Sequence, residues 1–168
     1  MKCPMKDPLP MPNAAILLLT ASVVTLLFAF VMQYGFGYEP CVLCLWQRIP
    51  FAVTALLAAI VWGWRPYEKQ TTLLLGLCAL AYLAGMGLGI FHTGVEQHWW
   101  LGTSGCAVNP LQARSVEDLR EALLHITAVP CDKVQWRFLG LSMANWNVPF
   151  SLALALFSAA AAAKTAQN

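Results

Sequence analysis

Residues 39–48 read EPCVLCLWQR, with Cys41 and Cys44 separated by two residues and Arg48 one helical turn beyond Cys44. A Cys-x-x-Cys pair can cycle between dithiol and disulfide or hold a soft metal, and its setting narrows the choice. If a helix begins near Cys44, that sulfur lies at the helix N-terminus with Arg48 at i+4 on the same face, where dipole and cation both favour thiolate. A lowered thiol pKa at the edge of an apolar segment suits a redox centre facing a lipid-soluble partner. Arg48 has two readings: its side chain snorkels to lipid headgroups, or it attracts an anion, which is the Cys44 thiolate, a reduced quinone, or both. The nearby Cys44 favours the second.

Two further cysteines, Cys106 and Cys131, bracket a loop of 24 residues. Closing it would stabilise the fold by about 3.5 kcal/mol in a chain-entropy picture, so a static staple and a redox pair both stand. His92, in FHTGVEQHWW, is either a hydrogen-bonded structural group or a participant in quinone binding. His98 and His125 read as loop residues. Cys78 reads as a small buried hydrophobe and Cys3 as a free tail thiol.

The elements that must position these groups are membrane spans. The chain is 59% hydrophobic and 11% charged, against roughly 25% charged in soluble domains. No charge falls between Asp7 and Glu39, Arg48 and Arg65, Lys69 and Glu96, or Arg137 and Lys164. A span needs about 20 residues. The gap after Arg48 holds only 16, so that span must start about one turn earlier, near Cys44, with Arg48 just inside the membrane boundary. The expectation is an all-α four-transmembrane-helix bundle forming a single integral membrane domain, with spans near 14–32, 44–64, 71–91 and 146–163. The first, preceded by Lys2 and Lys6, has too long an apolar run and too poor an exit for a cleaved signal peptide, and is expected to remain as a span. Gly85, Gly87 and Gly89 suit close helix approach.

Orientation follows from the positive-inside rule. Segments 1–13, 65–70 and 164–168 carry five cations and two acids, whereas loops 33–43 and 92–145, with Arg48, carry five cations and six acids. Both termini are therefore expected to be cytoplasmic, with Cys41, Cys44, Cys106 and Cys131 on the outer side. No basic patch suggests nucleic acid. Four thiols in an oxidising compartment are expected to pair, and of three connectivities Cys41 with Cys44 and Cys106 with Cys131 is the natural resting choice. In the long loop, SVEDLREALLH carries a capping-box pattern at Ser115 and Asp118 with an apolar stripe of Val116, Leu119 and Leu123, predicting a short amphipathic helix. The stretch KVQWRFLGLSMANWN places Val134, Phe138 and Leu141 at helical spacing beside Trp136 and Trp146, predicting an interfacial segment before the last span.

Taken in order, EPCVLCLWQR, FHTGVEQHWW with its following Cys106, and VPCDKVQWRFLGLSMANWN leading into an apolar end resemble the bacterial DsbB family of disulfide bond formation proteins over nearly the whole chain. The resemblance implies a thiol:quinone oxidoreductase of the bacterial inner membrane. Such a protein reoxidises the periplasmic thiol oxidase DsbA and passes electrons to ubiquinone or menaquinone in the membrane pool. Carried across, Cys41 and Cys44 match the quinone-proximal pair, Cys106 and Cys131 the DsbA-facing pair, and Arg48 the quinone-site arginine. Cys44, Arg48 and His92 are then the quinone-binding candidates, and no metal is expected. Gln47 stands where some relatives carry Glu. Alternatives are a DsbI-like oxidase serving a specialised DsbA-like partner and, from another class, a zinc-binding or disulfide-stapled structural membrane protein. Zinc needs thiols that stay reduced, which an oxidising setting disfavours.

Overall fold

The computed structural model describes residues 11–64, 66–103, 106, 115–116 and 129–167. Its frame is four helices: α1 (Met11–Phe30), α2 (Val42–Trp64), α3 (Glu68–Glu96) and α4 (Met143–Ala166). Each is long and apolar enough to cross a membrane, yet only 22% to 33% of each apolar window is buried inside the bundle. Side chains such as Val24, Leu56, Leu80 and Leu156 point outward. Water would not tolerate that surface; lipid does. The molecule is a four-helix, multi-pass membrane bundle.

The bundle is held by an apolar core around Leu18, Phe51, Leu75, Tyr82 and Leu154. At its middle the Ser22 hydroxyl lies 2.8 Å from Thr54 Oγ1 and 2.7 Å from the Tyr82 hydroxyl, so three polar groups satisfy one another. Away from water each would otherwise be costly. Close approach of α3 depends on small residues. A side chain at Gly85 would meet Pro50 of α2 at 3.3 Å, and one at Gly89 would meet Val148 of α4 at 3.0 Å.

The ends of the helices arrange the site. α1 runs into a π-helical turn, Val31–Gly35, a form frequent at functional positions. Gly37, with a φ of 74°, then reverses the chain toward Cys41. α3 continues past Phe91 to Glu96, so His92 and Glu96 belong to one helix and lie one turn apart.

The segment before the last span differs from the interfacial helix expected there. Arg137–Phe138 (β1) and Leu141–Ser142 (β2) pair antiparallel as a minimal hairpin. Leu139 and Gly140, with φ of 51° and 81°, form its turn, the positive-φ pair that suits a two-residue hairpin. Ser142 then caps α4, its Oγ accepting from the Asn145 amide at 3.2 Å. The Trp146 indole donates to the Phe138 carbonyl at 3.0 Å, and Trp136 meets Phe28 of α1 edge-on at 6.2 Å. These contacts, unavailable to a helix at this place, decide for the hairpin. Beyond Ser115 and Val116, the amphipathic helix expected across 115–125 lies outside the described residues, as do Cys3, Arg65 and His125.

Candidate active site

Helix α2 starts at Val42, so Cys41 is the residue at its N-terminal boundary. The Cys41 sulfur accepts the Cys44 backbone N–H at 3.3 Å and lies 3.0 Å from the Cys44 sulfur. The sequence pointed to Cys44 as the thiol favoured by the helix end; the fold gives that place to Cys41, because the helix begins earlier than the span estimate. The hydrogen bond from the Cys44 thiol holds the Cys41 thiol well below its usual range, with burial opposing and the His92 ring adding to the effect. Both are free thiols, Cys41 fully buried and Cys44 half-buried.

His92, only 4% exposed, joins the pair from α3. Its Nε2 lies 3.6 Å from the Cys41 sulfur and 3.9 Å from Glu96 Oε1. Its Nδ1 lies 2.7 Å from Gln47 Nε2, and Gln47 Oε1 accepts from Asn147 Nδ2 of α4 at 2.6 Å. Ser151, one turn on, donates to Asn147 Oδ1 at 2.9 Å. Glu96 in turn accepts from the Ser142 hydroxyl. From the sequence Gln47 was noted only as the place where some relatives carry Glu, and Asn147 and Glu96 were given no place in the site. The available signal was polar side chains within or at the margin of otherwise apolar spans, which are costly unless they serve a purpose.

The second cysteine pair is bonded: Cys106 and Cys131 form a disulfide with Cα atoms 4.9 Å apart. It packs into one buried cluster with Cys41, Leu43 and Val95, against Cys44 and Phe91. The loop reaches this position by folding back on the end of α3. The Trp100 indole donates to the Phe91 carbonyl at 2.9 Å and stacks on the Phe91 ring, and any side chain at Gly94 would collide with it. The Cys131 amide donates to the Cys106 carbonyl at 2.9 Å, and Gln135 donates to the Glu39 carbonyl at 2.7 Å, tying the bridge to the segment that carries Cys41. Exposure does not separate the two bridge cysteines, at 2% and 1%.

Arg48 points toward α1. Its guanidinium donates to Gln33 Oε1 at 2.7 Å and to the Ala29 carbonyl at 3.4 Å, and lies over the Phe30 ring. It lines a cleft of about 520 Å³ that also takes in Cys41, Cys44, Gln47 and His92, with Phe28, Met32 and Phe150 among its apolar walls. Cys78 lies apart, in the apolar core. His98 sits in the turn after α3 with a positive φ. The Cys41, Cys44 and His92 donor atoms lie within 4.8 Å of one another, a compactness that thiol–disulfide chemistry needs in any case.

A membrane bundle with a buried dithiol packed against a loop disulfide defines a class: an integral-membrane protein of thiol–disulfide exchange. The profile of the family described as "Disulfide bond formation protein DsbB" matches residues 12–161, and the chain belongs to that family. Among its relatives, the disulfide bond formation protein B of Xylella fastidiosa is 34% identical over 137 residues, 78% of each chain. That of Xanthomonas oryzae pv. oryzae is 32% identical over 148 residues, 85% of each. That of Aromatoleum aromaticum is 32% identical over 133 residues, 78% of this chain and 80% of the relative. The protein is thus a disulfide bond formation protein, and its family implies disulfide oxidoreductase chemistry.

Proposed function

We propose that the protein reoxidises a DsbA-like periplasmic thiol oxidase and hands the electrons to ubiquinone or menaquinone of the inner membrane. The observation that carries this reading is the packing of the Cys106–Cys131 bridge, the Cys41–Cys44 thiols and the Arg48 cleft into one continuous site. A thiolate of the reduced partner attacks one bridge sulfur, forming a mixed disulfide and releasing the other bridge thiolate. That thiolate attacks Cys41 of an oxidised Cys41–Cys44 pair, and the Cys44 thiolate leaves. The partner's second thiol then closes its own disulfide and frees the first bridge sulfur, which reforms Cys106–Cys131 and releases Cys41. The net result is an oxidised partner, a closed loop bridge and a reduced Cys41–Cys44 pair, which is the arrangement of bonds seen here.

A quinone supplies an acceptor for two electrons and two protons. Cys44, half-buried and lining the cleft, delivers the electrons in this reading. Arg48 offers an attractive charge to an anion forming beside it, and the apolar walls exclude water. Direction follows from potentials: a DsbA-like oxidant stands at about −120 mV, and each 30 mV of two-electron difference is worth about 1.4 kcal/mol, so the terminal acceptor must be more oxidising than the partner.

Purified protein given reduced DsbA and a quinone should reduce the quinone in proportion to DsbA oxidation. Thiols that remain unchanged would leave a structural role. For topology, both termini are cytoplasmic and the four site cysteines periplasmic in this reading. After reduction, an impermeant maleimide on intact cells should label Cys106 and Cys131 and spare Cys3; labelling of Cys3 alone would invert it.

A further inference from the structure

We propose that Gln47 and Asn147 are positioning residues that hold His92 as its Nε2–H tautomer and aim that hydrogen at the Cys41 sulfur. The inference rests on the thiol exchange reading above, since only there does the state of Cys41 matter.

The argument is one of donors and acceptors along a buried chain. Ser151, fully buried, donates to Asn147 Oδ1. The Asn147 amide presents its NH2 to Gln47 Oε1, at 2.6 Å. Gln47, 9% exposed, then has its own NH2 toward His92 Nδ1 at 2.7 Å. A ring nitrogen that faces an NH2 group must be the acceptor. The single ring hydrogen is left on Nε2, where the Cys41 sulfur at 3.6 Å and the Glu96 carboxylate at 3.9 Å are both acceptors. The contacts at both ends of the ring fit the same tautomer.

Among the described residues, the charged or titratable groups around the ring are Cys41 and Cys44 at the start of α2 and Glu96 on α3, with Arg137 of β1 acting on Glu96. From α4 comes the uncharged Asn147 and from β2 the uncharged Ser142. The neutral ring thus gives Cys41 a directed hydrogen bond, and negative charge is favoured on the sulfur beside the loop bridge instead of on its neighbour.

The test uses the full-length, reduced protein in lipid nanodiscs with ¹⁵N-labelled histidine, and Gln in place of His98 and His125. The expected spectrum shows an N–H at Nε2 and a bare Nδ1. Gln47→Leu and Asn147→Leu should give mixed tautomers, and Gln47→Leu should raise the midpoint of the pH profile of Cys41 alkylation by up to about one unit, the effect of one lost hydrogen bond to a charged sulfur. An N–H at Nδ1 in the unsubstituted site, whether alone or as an imidazolium, overturns the proposal even if no variant folds. So does a folded Gln47→Leu protein with unchanged tautomer and alkylation. If the spectrum is as expected while reduced DsbA and quinone leave the thiols untouched, the thiol:quinone reading fails and the tautomer assignment stands.

Discussion

The Arg48 guanidinium donates to Gln33 Oε1 at 2.7 Å, across from α2 to the π-helical turn that ends α1. Its other described contacts, the Ala29 carbonyl and the face of Phe30, are also on α1. None of these partners is charged, and among the described residues no carboxylate lies within salt-bridge distance of Arg48. The side chain is thus fixed in place with its charge uncompensated, at the wall of a cleft shared with Cys44. A cation held in this way attracts an anion more strongly than one that snorkels freely into water.

Arg48→Leu should therefore raise the KM for quinone about tenfold or more, as expected for loss of a charge-assisted contact, and leave exchange at the loop bridge nearly unchanged. Gln33→Leu should have a smaller effect in the same direction, because it frees the guanidinium without removing it. Steady-state quinone reduction with reduced DsbA as donor measures both. An unchanged KM in Arg48→Leu would return the arginine to a snorkelling role.

What the sequence disclosed and what it hid divide along sequence distance. Gaps between charges expose spans because lipid imposes the same demand on every residue of a helix, so four helices were legible from composition alone. The Cys-x-x-Cys pair and Arg48 were legible because they fall within about two turns of one another. The partners of His92 were not. Gln47 and Asn147 are 100 positions apart and meet only when α2, α3 and α4 pack. The helix end at Cys41 was missed by about one turn, because span length alone does not locate a cap. The hairpin at Leu139 and Gly140 was hidden by apolar residues at helical spacing, which the positive φ of its turn overrides.

Gly102 supports the loop disulfide from beneath. A Cβ there would lie 2.6 Å from the Cys106 Cβ, a backbone-tethered atom that cannot swing away. Gly102→Ala should displace the Cys106 segment and cost roughly 1–3 kcal/mol, typical of overpacking. A lower Tm with slower oxidation of DsbA and an unchanged KM for quinone is the expected combination. A Tm and exchange rate equal to those of the parent would show that the loop has room to shift.

Acid should weaken the reduced form through Cys41. Hydrogen bonds from the Cys44 thiol, and secondarily His92, hold this thiol below its ordinary range in the fold. For an acid whose folded pKa is depressed, the stabilisation is complete above the ordinary thiol range and is lost as pH falls through the lowered value. Comparing Tm for the reduced protein and its Cys41→Ser variant, the advantage of the thiol should be greatest in mild alkali and shrink steadily on acidification. A difference that does not vary with pH would show that Cys41 is not a thiolate in the fold.

The order of attack at the loop bridge rests on the family role of each cysteine and on the chain that leads into it. Cys106 and Cys131 both pack with Cys41 in one buried cluster, so neither packing nor exposure separates them. Cys106 is expected to meet the partner, in keeping with its place in the family, and Pro130 stiffens the approach to Cys131. If Cys131 is replaced by Ser and the partner carries only its attacking cysteine, neither side holds the thiol that would resolve a mixed disulfide. Starting from a pre-activated Cys106, a covalent complex should accumulate on a nonreducing gel, and peptide mapping should place the link at Cys106. More efficient trapping through Cys131 in the reciprocal Cys106→Ser protein would reverse the assigned order.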